Sequence, residues 1–148
     1  MINILIIEDD CNIQNIIKRN IIREGYNVYT ATDGLMGLQI LDENKIDLVI
    51  LDLMLPKLDG YEFTKEVRKT NELLPILMIT ARSLIEDKRL AFKTGVDDYM
   101  TKPLDMEELI LRINALLRRS KIMVEKKIVI GKVVVDCETQ TVSRDTEV

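Results

Sequence analysis

Five short apolar runs separated by helical stretches predict an α/β fold, a parallel sheet with helices on both faces. The runs are Asn3-Ile7, Asn27-Thr30, Leu48-Leu51, Ile76-Ile79 and Asp97-Met100. The first, third and fourth are apolar on both faces, as buried central strands must be, whereas Asn27-Val28-Tyr29-Thr30 and Asp97-Asp98-Tyr99-Met100 are mixed and suit the sheet edges. The expected architecture is a doubly wound five-stranded parallel sheet in the order 2-1-3-4-5.

Each element has its own signal. After the first strand, Ile13, Ile16, Ile17 and Ile21 recur at helical spacing, and Gly25 follows where a left-handed residue ends a helix. The third strand ends at Asp52 and opens into the loop Leu53-Met54-Leu55-Pro56-Lys57-Leu58-Asp59-Gly60. Beyond the fourth strand and Thr80, Ser83-Leu84-Ile85-Glu86 matches a capping box for the fourth helix, and Gly95 stands past its end. Lys102 follows the fifth strand, and Asp105 with Glu108 offers a similar cap for the last helix. There Met106, Leu109, Ile110, Ile113, Leu116 and Leu117 form one apolar stripe to lie on the sheet.

Composition shifts after Arg119, which predicts a first domain over 1–119 and a polar linker over 120–127. Residues 128–148 begin with the strand-like run Ile128-Val129-Ile130-Gly131-Lys132-Val133-Val134-Val135-Asp136 and belong to no βα unit. A segment of roughly twenty residues is too small to fold alone, so it reads as the opening of a second domain cut short.

Several function classes drop out. The 148-residue chain is 47% hydrophobic and 31% charged, the balance of a globular protein that folds. Its longest apolar stretch, Leu73-Ile79, contains Pro75 and is far shorter than the ~18 residues of a membrane span. The amino terminus has no secretory pattern, so a cytoplasmic location is expected. Cys11 and Cys137 lie far apart in a chain without histidine, which removes disulfide and zinc readings together with the commonest general base. A net charge of −4 argues against these residues gripping nucleic-acid phosphates.

The chemistry gathers at the strand ends. In an open α/β sheet, ligands bind beyond the carboxyl ends of the strands where the strand order reverses, here between strands one and three. Glu8 and Asp9 would there face Asp52. Like charges so close repel unless a cation joins them, and Mg²⁺ suits one or two carboxylates with retained waters and phosphate oxygens. Asp9 and Asp52 are the expected direct ligands. Lys102 supplies a mobile positive charge and Thr80 a hydroxyl, which makes the cluster a phosphoryl pocket with Asp52 as acceptor. Taken singly, each residue has an ordinary structural reading, as a cap, a turn or a strand end; the combination at successive strand ends is what points to phosphoryl chemistry.

Glu8-Asp9, Asp52, Thr80 and Lys102-Pro103 resemble the receiver domains of two-component response regulators, over about Asn3 to Arg119. The stretches from Asp52-Leu53-Met54-Leu55-Pro56 through Asp59-Gly60, Thr80-Ala81-Arg82 and Gly95-Val96-Asp97-Asp98-Tyr99 narrow the resemblance to the OmpR/PhoB type. The resemblance implies a flavodoxin-like, CheY-like receiver fold. It also implies Asp52 as phosphoacceptor, Glu8 and Asp9 at the Mg²⁺ site with the backbone carbonyl of Met54, Thr80 and Tyr99 as a switch pair, and a cis bond before Pro103. The donor would be a phosphohistidine on a sensor histidine kinase.

The face of helix four, strand five and helix five sets Lys88, Arg112 and Arg119 against Asp97, Asp98 and Glu107, a pattern that suits a two-fold homodimer after phosphorylation. Leu84, Leu90 or Phe92 would supply its buried area. A solvated face with pairs inside one subunit is the alternative. The tail resembles the first strands of a winged-helix DNA-binding domain, so promoter DNA would be a partner of the full-length protein only. Two other readings compete. A phosphatase of the haloacid-dehalogenase type needs a second aspartate two residues after the first, where this chain has Met54, so no enzyme activity is expected beyond self-phosphorylation from small donors and autodephosphorylation. A receiver-like module that works without phosphorylation generally lacks part of the site, whereas this chain carries all of it.

Overall fold

A computed structural model of the chain describes residues 1–81 and 85–130, of which 85–87 and 122–130 are described by backbone alone. The elements alternate as β1 (Asn3–Ile7), α1 (Cys11–Arg23), β2 (Asn27–Ala31), α2 (Gly34–Glu43), β3 (Leu48–Asp52), α3 (Gly60–Arg68), β4 (Ile76–Thr80), α4 (Ile85–Thr94), β5 (Asp98–Thr101) and α5 (Met106–Ile130). All neighbouring strands pair in parallel, and the sheet order is β2-β1-β3-β4-β5, as the apolar pattern predicts.

Period-two alternation splits the central strands between two cores. Leu5, Ile7, Val49, Leu51, Ile76 and Met78 face the side that also buries Phe63, Val67 and Ala91. Ile4, Ile6, Leu48, Ile50, Leu77 and Ile79 face Ile17 and Ile21 of α1 and Leu109, Ile113 and Leu116 of α5. The two edges differ from each other, since Tyr99 and Met100 of β5 are buried while β2 stays partly exposed.

The helices start on short polar side chains. Asp10 Oδ1 accepts from the Asn12 and Ile13 N–H groups at 2.9 and 3.3 Å, and Asp33 Oδ1 from Met36 at 2.8 Å. Asp59 and Glu62 form a reciprocal capping box on α3. At α5, Asp105 Oδ1 accepts from the Glu107 and Glu108 N–H groups, while the Glu108 carboxylate turns to Arg112, so only the N-cap half of the expected arrangement is realised. Gly25 and Gly95 have φ of 94° and 120°, the left-handed ends expected for α1 and α4. The expected capping box at Ser83–Glu86, and Leu84, lie outside the described residues or side chains.

Four strand ends, one strand start and one helix end differ from the sequence expectation: β2 runs on to Ala31, opposite Ile7, and β5 begins at Asp98 rather than Asp97. Asp52, Thr80 and Thr101 remain in the ladder although they are polar, because pairing is a property of the backbone. Helix α5 runs on to Ile130, across the expected linker and the first three residues of the expected strand. No glycine or proline interrupts residues 106–130, and Glu125, Lys126 and Lys127 are good helix formers. The rest of the expected strand lies outside the described residues. Among the described residues, no helix is long and apolar enough to cross a membrane.

Candidate functional site

The carboxyl ends of β1 and β3 bring Glu8, Asp9 and Asp52 together, with one carboxylate oxygen from each lying within 4.8 Å of the others. Adjacent pairing of these strands, with Ile7 opposite Leu51, sets the two ends level. Glu8 and Asp52 are buried and Asp9 is exposed, so the cluster has a floor and an open mouth.

Lys102 reaches across from the β5–α5 loop. Its ammonium donates to Asp52 Oδ2 at 3.0 Å and lies 3.0 Å from Glu8 Oε1. The second contact is an ion pair by distance, yet Glu8 Oε1, buried, receives no well-directed hydrogen bond. Asp52 Oδ1 accepts the Met54 N–H at 3.2 Å, and Glu8 Oε2 accepts the Asp10 N–H at 3.1 Å. The backbone N–H of Lys102 donates to the Thr80 carbonyl at 2.8 Å, which ties this loop to the end of β4. The Lys102-Pro103 bond is cis.

Burial pushes the Glu8 carboxyl up to about 7; the Asp10 N–H and the Lys102 ammonium pull it down and the Asp52 charge adds to the rise. For Lys102, burial works against the charge, but the hydrogen bond to Asp52, the short contact with Glu8 and the fields of both hold its pKa above the ordinary value. Three carboxyl groups against a single ammonium leave the cluster acidic, which suits a divalent cation. The orphaned Glu8 oxygen and the convergent carboxylates fit Mg²⁺ chemistry.

Around the cluster, Thr80 is fully buried at the end of β4, and Tyr99 is buried on the neighbouring strand, where its partner across the ladder is Met78. Lys88 Nζ sits 5.8 Å from the centre of the Tyr99 ring. Met54 is 60% exposed, so the loop beyond Asp52 passes along the surface. Of the expected dimer-face residues, Asp98 pairs with Arg112 at 2.9 Å within one subunit, and Asp97 pairs with Arg68, also at 2.9 Å. Glu107 and Arg119 are exposed.

Two features went unread in the sequence. The Arg68 guanidinium donates to the carbonyls of Gly95, Asn71 and Leu74 as well as to Asp97, which fastens the end of α3 to the turn before β5. Gln14, in the first turns of α1, donates through its amide to the Glu8 and Ala31 carbonyls. Neither has a spacing signature, because all their partners but the Asp97 carboxylate are backbone oxygens, whose positions depend on the whole fold.

The response regulator receiver domain family matches residues 4–114. The chain is 45% identical over 119 residues to the alkaline phosphatase synthesis transcriptional regulatory protein PhoP of Bacillus subtilis (strain 168), covering 80% of this chain and 50% of that protein. It is 43% identical over 122 residues to the DNA-binding dual master transcriptional regulator RpaA of Synechocystis sp., covering 81% and 51%. The chain thus spans about half the length of the curated relatives it matches. Among solved structures, the receiver domain of the Francisella response regulator 1452 superposes with a TM-score of 0.77 at 35% identity, covering 81% of this chain and 99% of that one. The BeF3-activated DrrB receiver domain gives a TM-score of 0.74 at 31% identity, covering 80% and 98%.

Proposed function

Because the chain belongs to the response regulator receiver domain family, we propose that Asp52 accepts a phosphoryl group from a sensor histidine kinase and that this modification switches dimerisation to control transcription. One observation carries the reading. Asp52 ends β3 beside two further carboxylates, with the Lys102 ammonium 3.0 Å from its Oδ2. Receiver domains are phosphoacceptors, generally not enzymes, and bind Mg²⁺ at an acidic pocket.

Glu8, Asp9, Asp52 and the Met54 carbonyl would hold the Mg²⁺ here. When bound, it supplies positive charge to the phosphoryl oxygens and lets the carboxylates stay ionised side by side. The chain's own groups do the rest. An Asp52 carboxylate oxygen bonds to phosphorus as the bond from phosphorus to the donor imidazole nitrogen breaks, and the imidazole keeps the electron pair and takes a proton from solvent. Lys102, already held between Glu8 and Asp52, shifts its ammonium toward the arriving oxygens and balances their charge. Met54 stands two residues after Asp52, where a phosphatase of the haloacid-dehalogenase type carries its general acid, so the chemistry ends at an acyl phosphate that water later hydrolyses. Small donors such as acetyl phosphate would serve in place of the kinase.

The new group adds roughly −1.5 to −2 charges beside Thr80 and Lys102. Thr80 turns its hydroxyl to a phosphoryl oxygen, and Tyr99 on β5 repacks into the space it leaves. Coupling of ~1–3 kcal/mol is enough to bias the face formed by α4, β5 and α5. On that face Lys88, Arg112 and Arg119 would meet Asp97, Asp98 and Glu107 of a second copy around a two-fold axis, with Leu90 and Phe92, both about half exposed, as the apolar part.

The output would be promoter binding by a winged-helix domain, in the full-length protein and in the cytoplasm. The division into a receiver over 1–119, a linker over 120–127 and the start of that domain over 128–148 belongs to this proposal, with α5 continuing through the linker as far as Ile130. The chemical test is hydroxylamine. A phosphorylated chain should lose its label at neutral pH as an acyl phosphate does, and a resistant label would place the phosphoryl group on a hydroxyl and overturn the reading.

A further inference from the structure

Gln14 carries no charge and reaches no carboxylate of the cluster, yet its amide nitrogen donates to two backbone carbonyls at once, those of Glu8 and Ala31, each at 3.0 Å. Both partners are acceptors, so the NH₂ end of the amide must face them, and both its hydrogens are used. The Glu8 oxygen belongs to the planar peptide unit that joins Glu8 to Asp9. Holding that oxygen therefore fixes where the Asp9 Cα stands, the point from which its side chain departs. The Ala31 oxygen already accepts the Glu8 N–H at 3.0 Å, so the same amide also ties the turn to the end of β2. On the other side of the turn, the Asp10 N–H donates to Glu8 Oε2 while Asp10 Oδ1 caps α1. The acidic turn is thus held from α1, from β2 and from within.

We infer that Gln14 is a positioning residue for the divalent-cation site, fixing the Glu8–Asp9 peptide so that both carboxylates meet Asp52. The inference rests on the Mg²⁺ reading of that cluster. Carboxylates gathered around a cation repel one another before it arrives, so a turn held in place binds it more tightly than one free to splay. Loss of a group that orients metal ligands typically weakens binding ten- to a hundredfold.

Gln14→Met keeps the side chain's length and removes both donors. Gln14 is only half-buried, so water can reach the freed carbonyls and the fold should survive. The test is a Mg²⁺ titration of the whole chain by calorimetry, with thermal midpoints measured in a chelator. Gln14→Met is expected to raise the Mg²⁺ Kd about tenfold with a nearly unchanged midpoint, and Gln14→Asn, too short to span both carbonyls, should move the Kd the same way. A lowered midpoint with an unchanged Kd in the folded variants would mean an ordinary structural role and overturn the inference. A wild-type chain that binds no Mg²⁺ would bring down the underlying reading and the inference with it.

Discussion

Glu8 is the residue where folding and function pull hardest against each other. Its carboxyl is fully buried and titrates at about 7, chiefly because burial disfavours the charge, whereas an unfolded glutamate titrates near 4.5. Between those values the folded chain keeps a proton that the unfolded chain has lost, so stability falls as pH rises through the window and the cost is complete above about 7. Glu8→Gln should therefore stabilise the metal-free chain by on the order of 1–3 kcal/mol at pH 8 and by clearly less at pH 5, read from urea melts. An equal gain at both pH values would contradict the burial argument. The same deprotonation favours cation binding, so wild-type Mg²⁺ affinity should rise between pH 6 and 8. Glu8 was legible in the sequence as a strand-end acid, but its complete burial was not, since that depends on β1 lying inside the sheet with Lys102 above it.

At the level of elements, the loop between β3 and α3 is packed against the start of α2. A Cβ on Gly34 would stand 2.4 Å from the Leu58 carbonyl oxygen, a backbone atom that moves only with the loop. Gly34→Ala should cost ~1–3 kcal/mol, seen as a lowered denaturant midpoint, and an unchanged midpoint would show the loop to be loosely held. The strands were legible because apolar runs mark buried ladders. Their ends were not, since Asp52, Thr80 and Thr101 pair through backbone while a hydrophobic pattern stops short of polar residues. The α3 cap was hidden for a related reason: Asp59-Gly60 reads equally as a turn, and only the Glu62 side chain returning to the Asp59 N–H makes it a capping box. Charged helix formers concealed the length of α5, because a polar stretch reads as a linker when no tertiary contact is visible.

For the whole molecule, the proposed dimer must exchange ion pairs rather than create them. Arg112 holds Asp98 and Glu108 within its own subunit, and Asp97 holds Arg68. The Asp98 and Arg68 side chains are only 17% and 16% exposed, so a dimer must replace the contacts it breaks there, and the phosphoryl switch and the apolar contacts have to supply the choice. Sedimentation with Mg²⁺ and beryllofluoride should show a dimer that Arg112→Glu weakens at least several-fold, and an unchanged monomer at high concentration would count against the face. The sheet order and the meeting of Glu8, Asp9 and Asp52 were legible because strand order dictates which strand ends are neighbours. The ion pairs were not, as surface side chains have several partners within reach. The central claim is that Asp52 carries the message. Intact-mass measurement after incubation with Mg²⁺ and acetyl phosphate tests it most directly: wild type should gain the mass of one phosphoryl group and Asp52→Asn none, and no gain in wild type, or an equal gain in the variant, would contradict it.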